Sequence, residues 1–244
     1  MSIFVLKIIC LKKMKLHIYL CLIIFGLQQL YAQDDHYAVG YKNAVSNHAA
    51  LYSGNEQRPF MLRLTNHQYF KKEDYASGRL SYGGVVYHDV LLRWDLYRDE
   101  LIMLTPAHYH IAFKSEYVDF AEIHGYRVFY LHPDGLAGCP PAGNYILLHS
   151  GDNLLVEKVT NQIYGKANSF DRFRIEYYFT LSTTFYLQKD DAYYRIKNQK
   201  TLLKALDTHR NELKRFIRAR NFNYKVDAET MVLEVVKEHE KLSR

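Results

Sequence analysis

The sequence predicts an α+β protein that is mainly β: an antiparallel meander of about ten strands, as a barrel or a sandwich, followed by two or three C-terminal helices. Short aromatic and β-branched segments alternate with tight turns, with no helical crossover between them. From residue 199 the apolar period lengthens to that of a helix. We therefore divide the 244 residues into a leader (1–32), a β domain (33–198) and a helical segment packed on the sheet (199–244).

The leader has the composition of a signal peptide. Lys12, Lys13 and Lys15 precede an apolar stretch at residues 17–27, and Ala32 is a small residue at the expected cleavage point. The stretch is shorter than the roughly 20 residues that span a bilayer. We therefore expect export, with no transmembrane span in the mature chain.

The charge balance and the cysteine content indicate which partners and which cellular compartment to expect. The leader holds four of the 32 basic residues and no acid, which leaves 28 basic against 26 acidic side chains. That balance gives no reason to expect a nucleic acid partner. Because Cys10 and Cys21 leave with the leader, Cys139 cannot form an internal disulfide. A chain of this kind suits the periplasm or outer envelope of a Gram-negative bacterium.

The β pattern is clearest in residues 78–104. Gly83-Gly84, between aromatic and β-branched runs, predicts a hairpin with a type I′ turn, because that turn needs positive φ at both central residues. From Val86 to Trp94 every second residue is apolar or a histidine, so we expect one inward face with His88 packed in the core. A third strand is expected after the polar turn at 95–99.

Further strands follow at short spacing. We expect them over residues 109–113, 118–124, 126–131, 144–149, 153–164, 173–181, 184–189 and 193–196. The strand at 173–181 alternates apolar and polar residues most regularly, which indicates a sheet with one wet face.

Three amphipathic helices should close the chain. The first contains Leu202 and Leu206, the second is capped by Asp207, and the third is capped by Asp227.

The chain has no glycine-rich phosphate loop and no His-Glu-x-x-His, Gly-x-Ser-x-Gly or Cys-x-x-Cys motif. These absences argue against the familiar nucleotide-binding, zinc-peptidase and hydrolase classes. We expect no cofactor, and the sequence favours a protein that is not an enzyme.

Two histidines are the candidate metal ligands. His108 and His110 are two residues apart on a predicted strand, so both side chains would project from one face and can hold a metal ion. Glu122 or His124 from the neighbouring strand would supply a third ligand. The simpler interpretation is a solvated pair.

Tyrosines are the candidate ligand-binding residues. The chain has 22 of them, several in pairs, and we single out Tyr178, Tyr193 and Tyr194. Exposed tyrosines on a rigid sheet stack on sugars and contact protein partners. Ordinary half-buried packing is the alternative.

One cysteine and one cluster of polar residues are candidates for catalysis. Cys139 is a nucleophile only if a base or a positive environment lowers its pKa. Ser150 lies between His149 and Asp152, but adjacent strand residues point in opposite directions and cannot form a relay.

A basic cluster occupies the second helix and its surroundings. An acidic partner or a phosphate-rich lipid can meet such a surface, whereas a solvated helix face is the simpler alternative. The cluster comprises Lys204, Arg210, Lys214, Arg215, Arg218 and Arg220.

Several segments together resemble a known family. They are residues 50–54, 67–70, 82–87 and 94–101, with the ending at 193–196, 202–203 and 212–217 and Phe222. These residues are similar to a family of uncharacterised secreted proteins of Gram-negative bacteria. The resemblance covers nearly all of the mature chain and implies export and a single structural unit. It implies no activity, catalytic residue or ligand.

The leading hypothesis is therefore an exported periplasmic or envelope-associated binding protein, with a protein or glycan as partner and no catalysis. The alternative is an enzyme of unfamiliar type, such as a metal-dependent hydrolase that uses His108 and His110.

Overall fold

The structure, a computed structural model, describes residues 51–58, 64–167 and 175–244. The predicted signal peptide lies outside the described residues, as does the start of the strand expected at 173–181. None of the helices in the described ranges has the length and apolar character needed to cross a membrane.

Within the described ranges, eleven strands form one antiparallel sheet in the order β1-β5-β4-β3-β2-β6-β7-β8-β9-β10-β11. This confirms the predicted meander; β1 and β11 are the outermost strands of the described sheet, which does not close into a barrel. The strands are β1 (Asn55–Glu56), β2 (Ala76–Tyr82), β3 (Val85–Asp95), β4 (Glu100–Leu104), β5 (His110–Ala112), β6 (Val118–Ile123), β7 (Tyr126–Leu131), β8 (Gly143–Ser150), β9 (Leu154–Ala167), β10 (Ile175–Lys189) and β11 (Ala192–Ile196).

The sheet consists of two meanders, β2–β5 and β6–β11, joined side by side through β2 and β6. The link from β5 to β6 is short and contains a 3-10 turn at Ser115–Tyr117. Across a flat sheet it would have to span four strand spacings, about 19 Å. The 3-10 turn shortens the link, and Phe113 within it packs on Tyr82 of β2 with ring centroids 5.2 Å apart, so the sheet curls and brings β5 towards β2.

Tight turns with left-handed backbone close three of the hairpins. Gly83 (φ 60°) and Gly84 (φ 78°) confirm the predicted turn between β2 and β3. Left-handed pairs also occupy His124-Gly125 between β6 and β7 and Asp190-Asp191 between β10 and β11. Positive φ at both central residues gives the turn a twist that matches the flanking strands.

The predicted inward face of β3 is wrong in its first half. The β2–β3 register shifts between Gly78 and Leu80, where β3 contains an extra residue, and Asp89 has φ 55°. This bulge reverses which side chains point inward. Tyr87 is therefore buried, and His88 is exposed instead of packed in the core.

Three helices follow the sheet: α1 (Gln199–Leu206), α2 (Arg210–Ala219) and α3 (Ala228–Ser243). Asn198 caps α1 in a capping box with Thr201. The predicted cap at Asp207 is wrong, because α2 begins after His209 and Asp207 instead pairs with Arg210. Asp227 is the N-cap residue of α3, although its side chain makes no capping hydrogen bond.

Apolar side chains form cores on both faces of the sheet. One core includes Trp94 and Leu80 of the first meander and extends to Ile146 and Val159 of the second. A second joins the three helices to β9, β10 and β11. A smaller one surrounds Tyr145 on the opposite face.

The turn between β3 and β4 connects the two meanders. The backbone N–H of Asn161 in β9 donates to the Leu96 carbonyl (3.1 Å), and Leu96 N–H donates to the Gln68 carbonyl (3.0 Å). At the end of the same turn, Lys158 Nζ donates to Asp99 Oδ2 at 2.5 Å. These bonds hold the turn against β9 and place Leu96 beside a cavity.

Candidate functional site

A cavity of about 470 Å³ lies between the β3–β4 turn, the inner face of β9 and β10, and the start of α3. Its volume is in the range of small-molecule sites in proteins. Its lining residues are Asn66, His67, Tyr69, Phe70, Lys71, Leu96, Tyr126, Ile146, Glu157, Val159, Asn161, Phe179, Leu181, Thr183, Phe185, Val226, Ala228 and Glu229.

Aromatic side chains form much of the wall, and neighbouring rings fix their positions. Phe70 packs against Trp94 at 5.3 Å between ring centroids and meets Tyr126 edge-on at 5.4 Å. Phe179 packs against Tyr97 at 5.6 Å. Because these rings are held by the core, the cavity has a preformed apolar wall.

Glu157 is the exceptional polar residue of the cavity. Strand alternation in β9 directs Leu155, Glu157 and Val159 to the same buried face. Glu157 is only 5% exposed, and its Oε2 atom has no hydrogen-bond partner within the described residues. A buried acceptor left without a partner costs about 1–3 kcal/mol.

The surroundings of Glu157 favour the protonated acid. Burial, followed by the nearby Glu229 carboxylate, raises the pKa of Glu157 to about 7, and Lys71 opposes the shift. The group therefore changes its protonation state near neutral pH and can either accept or donate a hydrogen bond.

Two amide side chains of the cavity already have protein partners. Asn66 accepts from Phe179 N–H (2.7 Å) and donates to the Phe179 carbonyl (2.9 Å). Asn161 Nδ2 donates to the Gln68 carbonyl at 3.1 Å. Among the described residues that line the cavity, Glu157 Oε2 is the buried side-chain atom without a hydrogen-bond partner.

The three predicted ligand-binding tyrosines do not form one platform. Tyr178 stacks on Tyr164 at 6.4 Å, while Tyr193 is buried and its hydroxyl donates to Asp134 at 3.2 Å. Tyr194 is 39% exposed, on the opposite face of β11 from Tyr193. Tyr193 pairs with residue 188 of β10, which is roughly 30 Å along that strand from Tyr178. None of the three lines the cavity.

The predicted histidine pair does not share a strand. His108 lies in the β4–β5 connection with φ 62°, and His110 begins β5. The Nδ1 atom of His110 is 2.5 Å from the Tyr75 hydroxyl. Of the expected third ligands, Glu122 pairs with Arg79 at 3.3 Å. The described part of the chain contains no group of three or more His, Cys, Asp or Glu side chains that could hold a metal ion.

The remaining catalytic candidates have other partners. Burial raises the pKa of the Cys139 thiol, which lowers its reactive thiolate fraction. His149 lies 2.9 Å from Glu240 of α3, so it belongs to a contact between sheet and helix.

Sequence reasoning missed Glu157, although the strand pattern contains a signal for it. Glu157 lies between Leu155 and Val159 on the apolar side of β9, where a charged side chain is unusual. A charged residue at an inward position is a functional candidate that the alternation by itself can identify.

Comparisons with known proteins supply no relative from which a role can be transferred. No family model, no curated protein and no solved structure matches this chain. The resemblance to secreted proteins of Gram-negative bacteria therefore stays a prediction.

Proposed function

We propose that this chain is an exported binding protein that takes a small glycan in the cavity of Glu157, and that it performs no catalysis on it. The observation that supports the proposal is the buried Oε2 atom of Glu157 on the wall of a preformed cavity, which has no hydrogen-bond partner among the described residues. Such a group is retained at a cost in stability, and a ligand that hydrogen-bonds to it removes that cost.

The chemistry of the wall favours a hydroxyl-bearing ligand with an apolar face. A sugar offers hydroxyl donors for Glu157 and C–H surfaces for aromatic side chains such as Phe70 and Tyr126. A cationic ligand fits less well, because the Lys71 ammonium lies 4.8 Å from the centre of the Tyr126 ring on the same wall.

Export is part of the proposal and depends on the sequence of residues 1–32. We expect the mature chain to begin near residue 33 in the periplasm or at the outer envelope of a Gram-negative bacterium. N-terminal sequencing of protein purified from a periplasmic extract tests this, and an intact leader on the purified protein would contradict it.

A metal-dependent hydrolase receives no support from the geometry. His108 lies in a turn, and Tyr75 already contacts His110. We therefore do not carry that alternative forward.

The binding test compares wild-type protein with Glu157→Leu in thermal-shift and calorimetric titrations of mono- and disaccharides. Leucine is similar in size to glutamate but lacks the carboxyl group that accepts a hydrogen bond. The variant should therefore melt at a higher temperature and lose the sugar-induced shift in melting temperature. Loss of binding by a more stable variant cannot be attributed to unfolding.

Glu122→Leu is the matched control. It makes the same exchange on β6, where Glu122 pairs with a surface arginine, and it should leave sugar binding unchanged. If no sugar shifts the wild-type melting temperature, or if Glu157→Leu binds as tightly as wild type, the glycan proposal is wrong.

A further inference from the structure

A second concave surface lies among the helices, and it is basic. A groove of about 1390 Å³ is bordered by the start of α1, the first half of α2 and the α2–α3 loop. Its charged lining consists of Lys197, Lys200, Lys204, Arg210, Lys214 and Lys225, without a carboxylate among the described lining residues. It shares no lining residue with the cavity of Glu157.

Each of the two helices contributes a pair of basic side chains to the groove. Lys200 and Lys204 are four residues apart on α1, and Arg210 and Lys214 are four residues apart on α2. Residues at that spacing lie on the same side of a helix. Each helix therefore presents a pair of like charges; such a pair destabilises a helix unless a counter-charge is present, as Asp207 is for Arg210 of α2.

Acidic neighbours do not neutralise the lysines. The ion pairs of the helical segment join Arg210 to Asp207, Arg215 to Glu212, Lys237 to Glu234 and Lys241 to Glu238. Within the part of the chain that the structure describes, the five groove lysines have no carboxylate partner, and all five are exposed.

The aromatic residues of the groove are engaged in packing. Phe222 packs against Phe216 at 6.2 Å, and Tyr224 meets Phe185 edge-on while its hydroxyl donates to the Ile196 carbonyl at 3.2 Å. Rings held in this way are poor platforms for stacking nucleobases. The recognition surface is therefore a set of ammonium groups, which act as point charges for phosphate oxygens.

We propose that this groove binds a multiply phosphorylated ligand, with phosphate groups bridging the cationic pairs of α1 and α2. A phosphate monoester carries up to two negative charges on a compact group, so two or three such groups balance the five lysines. The chemistry is shared by phosphorylated lipid headgroups and free polyphosphates. This inference is independent of the glycan proposal.

The test uses inorganic tripolyphosphate at about 0.15 M ionic strength, so that general screening is held constant. At one hundred times its Kd, tripolyphosphate should raise the wild-type melting temperature by about 5 °C or more. The triple variant Lys200→Gln/Lys204→Gln/Lys214→Gln should bind at least tenfold more weakly.

A charge-matched control distinguishes the effect of removing groove residues from the effect of lowering the net charge. Arg215→Gln/Arg218→Gln/Arg220→Gln removes three cations from the same region, and none of them lines the groove. This control should keep the wild-type Kd. Equal weakening of both triple variants, absence of a shift in wild type, or equally tight binding of poly-L-glutamate would overturn the proposal.

Vesicles identify the source of the phosphate. Groove-dependent binding to vesicles that contain phosphatidic acid, at a phosphate concentration where tripolyphosphate also binds, supports a lipid headgroup. Binding of tripolyphosphate with no vesicle binding supports a soluble phosphorylated ligand.

Discussion

His149 Nε2 at the end of β8 lies 2.9 Å from Glu240 Oε2 near the end of α3. The other carboxylate oxygen of Glu240 accepts from the backbone N–H (2.9 Å) and side-chain amide (3.2 Å) of Asn153. Glu240 is only 6% exposed. Its hydrogen bonds therefore join the last helix to the β8–β9 hairpin through a buried acid. Burial alone would raise the pKa of Glu240, but these hydrogen bonds outweigh it and lower the pKa.

Glu240→Gln should destabilise the protein by about 1–3 kcal/mol at pH 7, because it removes a charged acceptor and leaves one buried donor poorly matched. A carboxyl group whose pKa is lower in the folded state stabilises the protein at pH values above its ordinary pKa of 4.5. That stability is lost as the pH falls through the folded-state pKa. The difference between wild type and variant should therefore shrink in acid. Urea unfolding from pH 3 to 8 measures it.

Glu238→Gln is the control on the same helix. Its surface pair with Lys241 at 3.4 Å should contribute less than about 1 kcal/mol. Equal losses for both variants would refute the role assigned to Glu240.

Glu157→Gln should have the opposite pH dependence. With a folded pKa of about 7 against an ordinary 4.5, Glu157 keeps a proton that the unfolded chain releases in this interval. Its contribution therefore becomes less favourable as the pH rises from 4.5 to 7, by roughly 3 kcal/mol in all. Glutamine stays neutral, so the variant should melt about 6–12 °C above wild type at pH 8 and near wild type at pH 4.

Glu229→Gln provides the comparison for Glu157. Removing the neighbouring charge eliminates one cause of the raised pKa but leaves burial, the larger cause. This variant should retain most of the pH dependence. A wild-type melting temperature that does not fall between pH 5 and 8 relative to Glu157→Gln would contradict the assignment.

Asp99→Asn should weaken the connection between the two meanders. Asp99 accepts from Lys158 Nζ and from the backbone N–H of Asn144 (3.1 Å), and Trp94 Nε1 donates to it at 3.3 Å. Asparagine tolerates the left-handed backbone at this position (φ 58°), so the substitution isolates the charge. We expect a loss of about 1–3 kcal/mol in urea unfolding.

Asp99→Ala should cost about 1 kcal/mol more than Asp99→Asn, since alanine adopts left-handed backbone at a further penalty. If alanine is the milder substitution, the hydrogen bonds of Asp99 do not stabilise the turn.

The bulge in β3 makes a prediction about two adjacent residues. Tyr87→Ala should cost about 3 kcal/mol or more, because Tyr87 is 7% exposed. His88→Ala should stay within about 0.5 kcal/mol of wild type, as for other exposed positions. Chemical denaturation distinguishes this arrangement from the regular alternation, which predicts the reverse order.

Local pattern was sufficient for the fold class. Positive φ at Gly83-Gly84 follows from the two glycines, and the hairpin order follows from short polar links between alternating segments. The helical period after residue 199 likewise needed only neighbouring residues. Where a single backbone irregularity intervened, as at Asp89, the same reasoning assigned the wrong face to His88.

The candidate sites depended on contacts between residues far apart in the chain. Alternation in the sequence directs Glu157 inward, but only the curled sheet and the start of α3 enclose it with Phe70 and Glu229. Three residues of the predicted basic cluster, Lys204, Arg210 and Lys214, line the basic groove, but the groove itself arises from how α1 and α2 pack. Sequence determines local backbone preference and burial direction; the long-range packing that closes a cavity, removes water from a carboxyl group or gathers like charges was decided by the tertiary structure.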